Sequence, residues 1–227
     1  MSASTVFLLD VDNTLLDNDA VLADLKRHLI ETFGEPRAER YWEIFEELRA
    51  ELGYADYLGA LQRYRIENPR DTGLLEASLF LLHYPFADRV FPGAFDAIER
   101  TARRGRVAIL SDGDVVFQPR KVERSGLWRA VGGNVLIYIH KEEMLDDVER
   151  RFPADRYVMV DDKIRILTAM KSIWRDRLTT VFVRQGHYAA DTQLSAEFPP
   201  ADKTIDRIGD LGDDDVLTAE HAETAEK

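Results

Sequence analysis

The chain has 227 residues, 45% of them hydrophobic, enough for one or two folded domains with a sizeable core. Its formal net charge of −12 argues against a nucleic-acid backbone or an anionic membrane as a partner. Cysteine is absent, which excludes disulfide and thiolate chemistry, and no apolar run approaches the ~18 residues of a membrane span.

The N-terminal stretch carries neither a basic region nor an apolar run of signal-peptide length, so a cytoplasmic location is expected. The first element is an apolar, β-branched run, TVFLLD at 5–10, which reads as a buried strand. It ends in Asp10 and Asp12, one residue apart. Buried carboxylates are costly unless paired, so either these acids sit in a solvated turn or a positive charge lies between them. The following ninety or so residues hold no strand-like run. Leu22, Leu25, Leu29 and Phe33 share one helix face, as do Tyr41, Phe45, Leu48 and Leu52, and a later helix is expected to use Leu75, Leu79 and Leu82. That is too much for one crossover helix. Residues 17–92 are therefore expected to form a second, helical domain, with linkers near Asp17–Asp19 and Val90–Gly93 and re-entry at Pro92-Gly93. Residues 1–16 and 93–227 form the other domain.

From there strands and helices alternate. Phe95, Ile98 and Ala102 make a helix face before the strand RVAILSD (106–112). The strand NVLIYIH (134–140) follows. Leu145, Val148 and Phe152 precede RYVMVDD (156–162), and Leu167, Met170 and Trp174 precede TTVFVRQG (179–186). Such alternation implies an α/β fold, a Rossmann-like parallel sheet with helices on both faces, whose ligand site lies beyond the carboxyl ends of the strands. The last segment, from Gly209, is acidic and poor in large apolar residues, and its C-terminal half is expected to be a frayed helix or disordered.

Four of the five strands end in polar groups: Asp10 with Asp12, Ser111, Lys141 just after His140, and Asp161 with Asp162. In a parallel sheet those ends share one edge. Gathered carboxylates repel one another, and a hard divalent cation such as Mg²⁺ resolves the repulsion while leaving positions for water and a phosphate. The hydroxyls of Thr14 and Ser111, the Lys141 ammonium and backbone N–H groups around Asp112 and Gly113 could hold the anion's oxygens.

The sequence DVDNT at 10–14, Ser111 in ILSDGD, Lys141, and VDD at 160–162 resemble the four ordered motifs of the haloacid dehalogenase (HAD) superfamily of hydrolases. The helical insertion sits where that superfamily's helical cap sits. The resemblance implies that Asp10 is the nucleophile, forming an aspartyl-phosphate. It implies that Asp12 is the general acid and base, and that Ser111 and Lys141 bind the phosphoryl oxygens. Asp161 and Asp162 would complete a Mg²⁺ shell with Asp10 and the Asp12 carbonyl. The dehalogenases that named the superfamily lack an acid at the Asp12 position, because a halide needs no proton, so Asp12 favours a phosphatase of small phosphorylated metabolites. A phosphosugar mutase, a dehalogenase, or a non-catalytic binding protein on the same fold are the alternatives. Two departures are visible: Glu142 follows the motif lysine where proline is common, and Val160 replaces the usual glycine of the last motif.

Other polar residues have ordinary readings. Asp112 and Asp114 serve the turn around Gly113, and Asp162 could cap the following helix instead of binding metal. Lys121 competes with Lys141 but lies inside the helix after Ser111. His140 and His187 are read as structural, Trp42 and Tyr57 as core, and Arg63 and Arg65 as solvated surface. The oligomeric state is not encoded in any pattern found here.

Overall fold

The computed structural model describes residues 4–187 and 197–212. Six strands form one wholly parallel sheet: β1 (Thr5–Leu9), β2 (Arg106–Asp112), β3 (Val135–Tyr138), β4 (Arg156–Asp161), β5 (Leu178–Val183) and β6 (Lys203–Ile205), in the order β3-β2-β1-β4-β5-β6. The chain builds outward from β1 on one side, then crosses back and builds on the other. The switch point therefore lies at β1 and β4, where open α/β sheets place their ligands. Side chains alternate between faces. Val6 and Leu8 enter one apolar cluster with Leu110, Met159 and Trp174, while Phe7 and Leu9 enter the other with Ile109, Val160 and Ile98. Both faces are covered, by α5 (Ala94–Ala102), α6 (Phe117–Arg124) and α7 (Leu127–Ala130) on one side and α8 (Leu145–Arg151) and α9 (Ile164–Trp174) on the other. β6 is a three-residue addition that the sequence pattern does not anticipate.

Between β1 and α5 come four α-helices: α1 (Asn18–Phe33), α2 (Glu35–Leu52), α3 (Tyr57–Glu67) and α4 (Gly73–His83). Asp17 caps α1 by accepting the Ala20 N–H at 2.9 Å, and Val21, Leu25, Leu29 and Phe33 are buried at strict four-residue spacing. Gly53 ends α2 in the left-handed conformation (φ 81°). The two connections to the core run side by side: Asp17 donates its N–H to Arg89 at 2.8 Å, and Phe91 donates to Leu15 at 2.9 Å.

The structure corrects one helix face. In α4, Leu75 and Leu79 point outward, 74% and 53% exposed, while Gly73, Ala77 and Leu81 are buried. Small residues decide this: a Cβ on Gly73 would lie 2.7 Å from Thr32 Cγ2, so only glycine lets α4 approach the end of α1 this closely. Similarly Phe95 is 45% exposed and α5 turns Ala94, Ala97 and Ile98 inward. The acidic stretch after residue 212 lies outside the described residues. Among the described residues, no helix is long and apolar enough to cross a membrane.

Candidate active site

β1 and β4 are neighbours in register, Leu9 facing Val160, so Asp10 leaves the sheet beside Asp161 and Asp162. The Asp10 N–H still donates to the Val160 carbonyl at 3.0 Å, which holds its carboxylate at the strand end. β2 brings Ser111 to the same edge, and the turn after β3 brings Lys141. Lys141 is almost fully buried, and its Nζ lies 2.5 Å from Asp10 Oδ1 and 2.7 Å from Asp161 Oδ2. Its backbone N–H donates to Asp112 Oδ1 at 2.8 Å. Asp112 thus positions the lysine turn. Gly113 donates its N–H to Tyr138 at 2.9 Å instead of presenting it to an anion, so the phosphate contact expected of that amide is used by the sheet.

Three carboxylates, those of Asp10, Asp161 and Asp162, offer oxygens all within 4.8 Å of one another, and all three residues are buried. Asp162 does not cap α9: both its oxygens are buried without a hydrogen-bond partner among the described residues, while the Lys163 N–H goes to Asp161 Oδ1 at 2.8 Å. Burial, then the charges of Asp161 and Asp10, push the Asp162 carboxyl up to about 9. Burial pushes Asp10 up to about 6 against the opposing Lys141 charge, with Asp161 adding to the rise. Burial alone would lower Lys141, but Asp10, Asp161 and Asp112 more than offset it and hold the ammonium well above its usual range. Two orphaned carboxylate oxygens inside an all-oxygen cluster fit a hard divalent cation such as Mg²⁺. Asp12 is not a member of this cluster through its carboxylate.

Asp12 instead faces the cleft, held by Lys121, which the sequence offers only as a competitor of Lys141, and by Gln118, which it does not single out. Its Oδ1 accepts from Lys121 Nζ at 2.7 Å, and its Oδ2 lies 3.3 Å from Gln118 Nε2. The same Gln118 amide reaches Ser111 Oγ at 3.0 Å. Lys121 is 1% exposed and also donates to Asn18 Oδ1 at 2.9 Å, in the first turn of α1. Gln118 and Lys121 are one helical turn apart on α6, so both meet the same carboxylate. Thr14 is fully buried with its hydroxyl unpartnered among the described residues. Asn13, at φ 60°, accepts the N–H groups of Asn18 and Asp19 at 3.0 and 3.2 Å and so shapes the bend between nucleophile and insertion. Asp19 in turn accepts from the His187 N–H at 2.8 Å, which gives that histidine a structural contact.

The helical insertion closes over this edge and leaves a cleft of about 490 Å³. Asp12, Lys121 and His140 line it from below and Leu22, Trp42 and Phe45 from above. Trp42 and the largely buried Tyr57 therefore serve the cleft as well as the core, whereas Arg63 pairs with Glu51 at the surface. Glu142, in the position where proline is common, is buried and pairs with Arg165 of α9 at 2.8 Å, which anchors the lysine turn.

No curated protein matches this chain. Among solved structures, a candidate haloacid dehalogenase-like hydrolase from Burkholderia xenovorans is 65% identical, with a TM-score of 0.89 over 93% of this chain and 98% of that one. A candidate HAD hydrolase from Bacillus subtilis, YfnB, seen bound to magnesium, and the L-2-haloacid dehalogenase of Xanthobacter autotrophicus are each 18% identical. Their TM-scores are 0.61 and 0.62, over 92% of this chain and 97% of theirs, a likeness of fold. The family model for haloacid dehalogenase-like hydrolases matches residues 5–173, a span that contains every strand-end residue of the site, and the chain belongs to that family.

Proposed function

We propose that the protein is a Mg²⁺-dependent phosphatase that hydrolyses small phosphomonoesters through an aspartyl-phosphate on Asp10. The observation that carries this reading is Asp12: a carboxylate oriented by Lys121 and Gln118 at the cleft, two residues from the nucleophile. A proton donor there serves an alkoxide leaving group and has no use for a halide.

Asp10 Oδ attacks phosphorus, the P–O bond to the leaving group breaks, and Asp12 gives that oxygen a proton. Water then attacks the phosphorus, Asp12 takes its proton, and the Asp10–phosphorus bond breaks to release inorganic phosphate. Lys141 lies against Asp10 and is placed to hold a phosphoryl oxygen as negative charge shifts, with Ser111 and Thr14 as further donors. Bound among Asp10, Asp161 and Asp162, Mg²⁺ would supply the positive charge that lets a phosphate dianion approach a carboxylate. The roof of α1 and α2 limits the cleft to small substrates, and its two bonded linkers allow it to open for product release.

The test sets nitrophenyl phosphate hydrolysis, with Mg²⁺ and with excess chelator, beside halide release from 2-chloropropionate. Mg²⁺-dependent phosphate release without halide release supports the proposal. Halide release without phosphatase activity would replace it with dehalogenation.

A further inference from the structure

Val115, Trp128, Ile139 and Met144 are 88%, 39%, 51% and 38% exposed. They do not scatter over the surface. All four line one trough of about 760 Å³ along the edge strand β3, with Ile137 of that strand in its wall. Contiguous exposed apolar surface of this kind marks a contact site, and the volume suits a small organic group. The trough adjoins the active-site cleft: Tyr54, Gly113, Asp114, Ile139 and His140 line both. Its connection to the chemistry is short in sequence as well. Gly113 and Asp114 follow Ser111 and Asp112, and Ile139 and His140 immediately precede Lys141.

The charge of the trough narrows its occupant. Among its described lining residues there is no lysine or arginine. Asp114 has one oxygen committed to the Val116 and Phe117 N–H groups at 2.7 and 2.6 Å, and Glu143 stands at the rim. A second anionic group placed in the trough would meet these carboxylates and, besides the imidazole of His140, no basic side chain among the described lining residues. We propose that the trough receives the leaving group, and that the substrates are phosphomonoesters of uncharged, largely apolar alcohols or phenols. This rests on the phosphatase reading of Asp10 and Asp12. It separates such esters from nucleotides, phosphorylated carboxylic acids and bisphosphates.

The experiment measures binding, so it does not need turnover. A series of n-alkyl phosphonates, ethyl to octyl, is titrated calorimetrically into the full chain with Mg²⁺ present. Burial of each methylene is expected to tighten binding roughly two- to fourfold until the trough is filled. In Val115→Asp, and in Val115→Ser where no charge is added, that dependence on chain length should flatten. Both changes fall on an exposed side chain, and melting curves verify folding. If the phosphonates bind but all with one affinity, the trough is not the leaving-group site, while the phosphatase reading survives. If none binds, both fall. If the dependence persists in the Val115 variants, the chain lies against Trp42 and Phe45 and the proposal is overturned. It is overturned as well if sedimentation shows a dimer that Val115→Asp dissolves, since the trough is then an interface between copies of the chain.

Discussion

Lys121→Met isolates the contribution of the buried cation behind Asp12. The methionine matches the stem in length and keeps the packing near Phe117, whose ring centre lies 5.3 Å from the ammonium. It removes the 2.7 Å contact to Asp12 and the 2.9 Å contact to Asn18. Asp12 is then left with Gln118 at 3.3 Å. One hydrogen bond between charged groups is worth roughly 1.5–3 kcal/mol. If that energy orients the acid in the transition state, its loss slows turnover about 10- to 150-fold. Stability should change less, by about 1–2 kcal/mol, because the substitution also relieves the burial of an ammonium and Asp12 is partly solvated. The assay compares alkyl and nitrophenyl phosphates under rapid mixing. The alkyl ester needs a proton in the first step and should show the full loss. Nitrophenolate leaves unaided, so its first step should survive and the defect should appear in phosphoenzyme breakdown, as a burst of nitrophenol followed by slow turnover. Lys121→Arg should recover part of the rate. An equal loss on both esters with no burst, or no loss at all, would refute the assignment of Lys121 to Asp12.

Asp12→Asn should reduce alkyl phosphate turnover by ~10²–10⁴ and nitrophenyl phosphate turnover by a smaller factor in its first step, read from single-turnover rates. Asn13→Ala should destabilise the fold by about 2–3 kcal/mol in denaturant melts, since alanine tolerates the left-handed conformation poorly and the caps on Asn18 and Asp19 are lost. In chelator, stability should fall as pH rises from about 6 to 9. Folded Asp162 keeps its proton up to about 9, whereas the unfolded chain has lost it above its ordinary value of 3.8, so the folded state binds more protons across that window. Mg²⁺ should raise the melting temperature, and more at pH 8 than at pH 6, because its ligands must shed protons; a larger shift at pH 6 would contradict the carboxylate cluster.

Five of the six strands are legible because burial on both faces leaves continuous apolar runs, and their polar ends point to Asp10, Ser111, Lys141 and Asp161, which the sheet brings to one edge. Helix faces are less so. Leu75 and Leu79 carry the strongest apolar signal in α4, yet Gly73 and Ala77 pack inward, because close approach to α1 favours small volume over hydrophobicity. Gln118 is not singled out by the sequence, and Lys121 is read there only as a competitor of Lys141, because their partner Asp12 is more than one hundred residues away and helical periodicity carries no trace of it. The spacing of Gln118 and Lys121, one turn apart behind a motif serine, is the signal that could have found them.

The central claim is that Asp10 carries the phosphoryl group. The direct measurement is acid quench of Asp12→Asn during turnover of a nitrophenyl phosphate with Mg²⁺, followed by peptide mass mapping, with Asp10→Asn in parallel. One phosphoryl group is expected on Asp10 in the first variant and none anywhere in the second. A phosphoryl group on another residue, or one that still forms in Asp10→Asn, would contradict it.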